Sequence, residues 1–364
     1  MNFYFRKISL LFVTHVHTLA ATSISLVVLL TAIQIPGCRG NDELSPCDGS
    51  TFEVDIYKGP ANTEGLQLTW YIVPRENVSF HDPAIAPDRT IWYTDQWNSC
   101  IGRIDPDRLT VTEFHTGISG ANPHGITVDE NGNIWYAATA TGKIGKYNPD
   151  RDEYRSYTMA DEVDDVHSLT SANGLIWFTA PRSNVFGSLD PRSGEVTLFD
   201  TPGPGSRPYG ITAAPDGTIW IAFSGTNRIA SVAPADGTVN EWELPDTGSR
   251  PLMITSGRNG TVWYTDYEKS KIGSLDISTG EFRIFDTASE NAFPRSLTVG
   301  SDGRIWYYEE ATNLIVGLDP GTGEYTVIET GSPDTVIRKM VTDIKRGKIW
   351  MALGAAGAIG GLEL

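Results

Sequence analysis

His124-Gly125-Ile126-Thr127-Val128-Asp129, then Asn131-Gly132, then Asn133-Ile134-Trp135-Tyr136-Ala137: an alternating run, a turn, and a second run that returns. This is the pattern of a β-hairpin, because Asn-Gly readily takes the positive φ angles of a tight turn. Gly142 then opens a third strand through Lys143-Ile144-Gly145-Lys146-Tyr147, Asn148-Pro149 turns again, and Glu153 to Tyr157 reads as a fourth. Four antiparallel strands make one blade. The unit recurs, with an Ile-Trp or Val-Trp pair at Trp92, Trp135, Trp177, Trp220, Trp263, Trp306 and Trp350, spaced by 43, 42, 43, 43, 43 and 44 residues. Its turns return as Asn173-Gly174, Asp216-Gly217, Asn259-Gly260 and Asp302-Gly303. The third strand carries Ile-Gly or a near match in every unit except the fourth, which has Ile229-Ala230. Such a period predicts an all-β chain, a seven-bladed β-propeller of four-stranded antiparallel blades.

No fourth strand follows for the seventh blade, whereas Leu66-Gln67-Leu68-Thr69-Trp70-Tyr71-Ile72 resembles the outer strand Val239-Asn240-Glu241-Trp242-Glu243. The N-terminal strand is therefore expected to complete the last blade, which closes the ring and leaves no free edge. Residues 66–364 would form the propeller, and residues 39–65 a polar tether. The first 37 residues contain Arg6 and Lys7, no acidic residue, and an apolar run from Ile8 to Gly37. They read as an export signal. Its end, Ile35-Pro36-Gly37-Cys38, resembles a bacterial lipobox, so residues 1–38 are expected to be an export signal ending at Cys38, which is cut just ahead of a lipidated Cys38, cleaved plainly, or kept as a membrane anchor. The expected location is extracytoplasmic: periplasmic, or tethered to the membrane as a lipoprotein. Cys47 and Cys100 remain, and an oxidising compartment would let them pair.

A formal charge of -17 argues against nucleic acid and anionic membrane surfaces as partners. Membrane contact is expected only through the N-terminal lipid or anchor. The expected partner is a small molecule or peptide at the propeller mouth, and the chain is expected to be a monomer.

Strand direction places the start of each first strand and the end of each second strand on one face of the ring. Eleven residues before the tryptophan, or ten in the shorter third unit, stand His81, His124, His167, Tyr209, Leu252, Arg295 and Lys339. Three after it stand Asp95, Ala138, Ala180, Phe223, Asp266, Glu309 and Leu353, with Glu310 following. Three histidines thus share one repeat position in successive blades. Converging imidazoles near carboxylates suit general-base chemistry or a divalent metal. On this reading His124 and His167 are candidate catalytic residues. His81, Tyr209, Arg295, Lys339, Asp95, Asp266 and Glu309 are candidates for substrate binding, and Asp165 and Glu310 for metal binding. Arg295 and Lys339 serve equally as charge partners of Asp266, Glu309 and Glu310 or as binders of an anionic or carbonyl group. Asp165 is a metal ligand or part of a solvated acidic loop, Asp161-Glu162-Val163-Asp164-Asp165. No Gly-x-Ser-x-Gly elbow, His-Glu-x-x-His or phosphate loop is placed where its chemistry would need it, so a nucleophilic hydrolase is unsupported.

The units Pro123-His124-Gly125-Ile126-Thr127, Arg207-Pro208-Tyr209-Gly210-Ile211-Thr212 and Lys271-Ile272-Gly273 resemble those of the streptogramin B lyases, also called virginiamycin B lyases. The resemblance covers residues 66–364. It implies a mouth site of two histidines, a tyrosine and glutamates holding magnesium, which opens a cyclic depsipeptide by elimination: the metal polarises the ester carbonyl, a base removes the α-proton, and the ester oxygen leaves. His124, His167 and Tyr209 match the family's order, but from the second, third and fourth blades rather than the last two and the first. Ala180 and Pro181 occupy the place of one metal glutamate, and Asp165 alone corresponds to the other. Two further readings are a binding or scaffold propeller without chemistry, and a metal-dependent lactonase needing a calcium site of Glu, Asn and Asp.

Overall fold

The computed structural model describes residues 47–364 apart from residues 60, 63, 234, 235, 258, 333 and 334. The export signal and Cys38 lie outside the described residues. Among those described, the strands form seven antiparallel sheets, five of four strands and two of five, with no α-helix. Each sheet is a blade, and each runs outward from an inner strand such as Pro123–Val128, through Ile134–Ala138 and Lys143–Asn148, to an outer strand such as Glu153–Thr158.

The repeated tryptophans are buried on the second strands. Six of them are among the largest fully buried side chains, so the period seen in the sequence is the period of the core between blades. The third-strand glycine has an equally local cause. Gly145 lies opposite Tyr136, and a Cβ there would come within 2.1 Å of the tyrosine ring. In the fourth blade the facing residue is Ile221, and there Ala230 is accommodated. The third blade owes its shorter period to a two-residue turn, Asn173-Gly174, both at positive φ, as a tight hairpin requires.

The ring closes as expected: Leu68–Ile72 pairs with Ala358–Glu363 and completes the seventh blade. The stretch expected as a tether is different over its described part. Asp48–Glu53 adds a fifth strand to the first blade, pairing with Thr110–His115, and Asp55–Lys58 adds a fifth to the seventh, pairing with Leu68–Ile72. Buried Val54 joins them and donates its backbone N–H to the Leu109 carbonyl. Polar composition concealed these strands because an outermost strand buries little of either face. The segment crosses the seam between first and last blades, and the Cys47–Cys100 disulfide fixes its start, with Cα atoms 5.8 Å apart.

Candidate functional site

Inner strands deliver the mouth. His81, His124, Tyr209 and Arg295 each stand second in their strands, Phe80–Ile85, Pro123–Val128, Pro208–Ala213 and Pro294–Val299, and His167 precedes Leu169–Ala172. Pairing with the neighbouring strand is irregular at these residues, between Phe80 and Pro83, Pro123 and Ile126, Pro208 and Ile211, and Pro294 and Ser296. Such bulges re-aim a side chain, and here the broken ladder frees the mouth residues to turn to the axis.

The structure brings the three histidines and Tyr209 into one aromatic arc. Ring centroids are 3.9 Å apart between His81 and His124, 4.8 Å between His124 and His167, and 4.3 Å between His167 and Tyr209. Asp82 Oδ1 lies 2.8 Å from His81 Nδ1, and its other oxygen lies 3.6 Å from Lys339 Nζ. The carboxylate therefore holds the proton on His81 Nδ1 and leaves the lone pair on Nε2. The Gln96 amide hydrogen-bonds His124 Nε2, and His124 Nδ1 is buried without a partner. His167 Nδ1 lies 3.0 Å from Ser168 Oγ.

Burial dominates the electrostatics. It pushes His167 down to about 3, with His81 and the nearby arginines adding to the effect, and it depresses both His81 and His124. All three are neutral imidazoles at neutral pH. Burial alone would raise Asp82, but Lys339 and His81 hold it below the usual carboxylate range.

Lys339 does not occupy the seventh place in the mouth ring. Val341 pairs with Trp350 where Thr127 pairs with Trp135, because the hairpin between Asp343 and Lys348 is one residue longer than its counterparts. The register therefore assigns the mouth position to Arg338, and Lys339 falls one place deeper, where it reaches Asp82 and the Ile126 carbonyl. His81, Asp82, His167, Tyr209, Arg295 and Arg338 surround a tight recess with about 10 Å³ of free space, room for about one water. A second cavity of about 220 Å³, lined by Lys339 among others, shares Met253 with this recess. Arg295 is paired with Glu310 at 2.6 Å, and Tyr267 donates to the same carboxylate at 3.2 Å.

The remaining carboxylates serve their own loops. Asp95 takes Arg75, the Ser79 N–H and Asn98. Asp266 takes the N–H groups of Arg250 and Lys269, and Glu309 takes the Ser289 N–H and the Thr312 hydroxyl. Asp165 accepts from the N–H groups of Arg182 and Ser183 and from the Ser183 hydroxyl. None of the four is brought to the arc. Sequence reasoning missed Asp82, Gln96 and Arg338. The 44-residue spacing between Trp306 and Trp350 was the available sign of the shifted register.

Magnesium prefers hard oxygen ligands in octahedral geometry, and the residues at this mouth do not fit it. Among the described residues no three His, Cys, Asp or Glu side chains converge so as to hold a metal ion. Asp165 and Glu310 are engaged as above, and Asp82, the carboxylate that does stand beside the imidazoles, is paired with Lys339.

Fold and mouth together define a closed seven-bladed propeller with a polar, cation-bearing axial recess. The chain belongs to the virginiamycin B lyase family, whose sequence profile matches residues 59–224 and 202–364. It is similar to a streptogramin B lyase structure at 25% identity and a TM-score of 0.75, over 82% of this chain and 97% of that one. A virginiamycin B lyase from Staphylococcus aureus is 24% identical with a TM-score of 0.76, over 82% of this chain and 99% of that one. The extracellular domain of a putative one-component system from B. thetaiotaomicron shares the fold at 17% identity and a TM-score of 0.63, over 80% of this chain and 39% of that one. No curated relative matches the chain. No helix among the described residues is long and apolar enough to cross a membrane.

Proposed function

We propose that the protein is an exported binding propeller that holds a small molecule or peptide end at its mouth without turning it over. The state of the imidazoles carries this reading. A general base must accept and keep a proton near the working pH. His81, His124 and His167 are all depressed by burial, and the Gln96 amide already occupies His124 Nε2. The donor set, which does not suit magnesium, supports the same reading. Export is supported by the Cys47–Cys100 disulfide, which belongs to an oxidising compartment, and by the extracellular placement of a propeller with the same fold.

Ester elimination, the chemistry of the streptogramin B lyases, is a second reading, favoured by the Asp82–His81 pair. That pair is oriented as an acid–base couple, so His81, rather than His124 or His167, would be the base. Elimination breaks a carbon–oxygen bond without adding water, so a linearised depsipeptide keeps its mass and changes its chromatographic retention. The binding reading predicts no conversion of a streptogramin B depsipeptide, with or without magnesium. Conversion that disappears in His81→Ala would contradict it.

A further inference from the structure

Arg295 and Arg338 stand together at the mouth, and their positions differ in one respect. Arg295 has a carboxylate partner in Glu310. Among the described residues Arg338 has no ion-pair partner within 4.0 Å, although it lines the same recess as His81, His167 and Tyr209. A half-buried guanidinium beside a second one, with burial and Arg295 both opposing its charge, is a costly arrangement unless an anion relieves it. The neutral histidines add no charge. Three cations, Arg295, Arg338 and Lys339, face two carboxylates, Glu310 and Asp82, so the mouth keeps a single positive excess in a chain of net charge -17.

We propose that Arg338, backed by Arg295, binds the carboxylate of the ligand held at the mouth, so that the ligand is a small carboxylic acid or the free C-terminal end of a peptide. The inference rests on the binding reading and names its ligand class. One excess positive charge matches a monoanion better than a phosphate dianion. The planar guanidinium presents paired N–H donors in the geometry a carboxylate accepts. Tyr209 and His167, whose tilted rings line the same recess with centroids 4.3 Å apart, offer an aromatic surface to the part of the ligand next to the carboxylate.

Calorimetric titration of the full-length protein with N-acetylphenylalanine, its amide and inorganic phosphate tests this. The acid should bind saturably, the amide at least tenfold more weakly, and phosphate more weakly than the acid. Arg338→Gln should cost the acid tenfold or more and leave the amide unchanged, while Arg338→Lys should recover part of the loss. Exposed Lys345→Gln, on a turn of the seventh blade, should change nothing. Equal binding of acid and amide, an unaffected Arg338→Gln, tighter binding of phosphate, or no binding of the acid would each overturn the proposal. Equal binding of acid and amide would spare the binding reading, and turnover of a depsipeptide would defeat that reading without bearing on the acid–amide difference.

Discussion

Asp82 and Lys339 are bonded across the mouth with little exposure, and a buried charge left alone is expensive. Lys339→Met should therefore destabilise the protein by about 3 kcal/mol. Adding Asp82→Asn should restore much of that loss, which a double-mutant cycle by denaturant unfolding would measure. The histidines make a second prediction. In the unfolded chain they take up protons below about pH 6.5, whereas folded His167 resists until about pH 3. Protons therefore favour the unfolded chain between those values, and stability falls as pH drops from 6.5 towards 3. His167→Gln should flatten the decline in melting temperature between pH 6.5 and about pH 4.5. An unchanged slope would mean the imidazole is protonated in the fold. At this scale the sequence placed His81, His124, His167, Tyr209 and Arg295 at the mouth because they share a repeat position. It could not reveal Arg338, because a hairpin one residue longer moves the register without disturbing the tryptophan. Nor could it show that Asp95, Asp165, Asp266 and Glu309 turn to backbone N–H groups, since a carboxylate beside a turn reads the same in either role.

At the scale of the strand, side-chain volume across a blade decides what each third strand tolerates. Gly145→Ala should cost about 1–3 kcal/mol, because its Cβ would enter the Tyr136 ring. The fourth blade already pairs Ile221 with Ala230, so Tyr136→Ile combined with Gly145→Ala should be less damaging than the two single losses added together. Thermal unfolding of the four proteins decides the matter, and strict additivity would refute the explanation. Strands and turns were legible because hairpin chemistry is local. The two added edge strands were not, because their pairing partners lie far along the chain and little of their surface is buried.

For the whole ring, closure depends on one seam. The strand Leu68–Ile72 closes it, and the segment from Cys47 to Lys58 covers it from outside. Cys47 and Cys100 are 53 residues apart, and the cross-link should contribute about 4 kcal/mol on the loop-entropy model. Cys100→Ser should lower the unfolding midpoint accordingly while leaving ligand affinity unchanged, since the disulfide lies outside the recess. A midpoint equal to that of the parent would mean that the added strands hold without it.

The mouth is proposed to bind an anion rather than to hold a catalytic metal. A thermal-shift titration with magnesium tests this most directly, run on the parent and on a His124→Ala/His167→Ala variant, because any ligand of the native state raises stability by mass action. No saturable shift is expected in either protein. Saturable stabilisation of the parent that disappears in the variant would contradict that proposal and return the mouth to metal-assisted elimination.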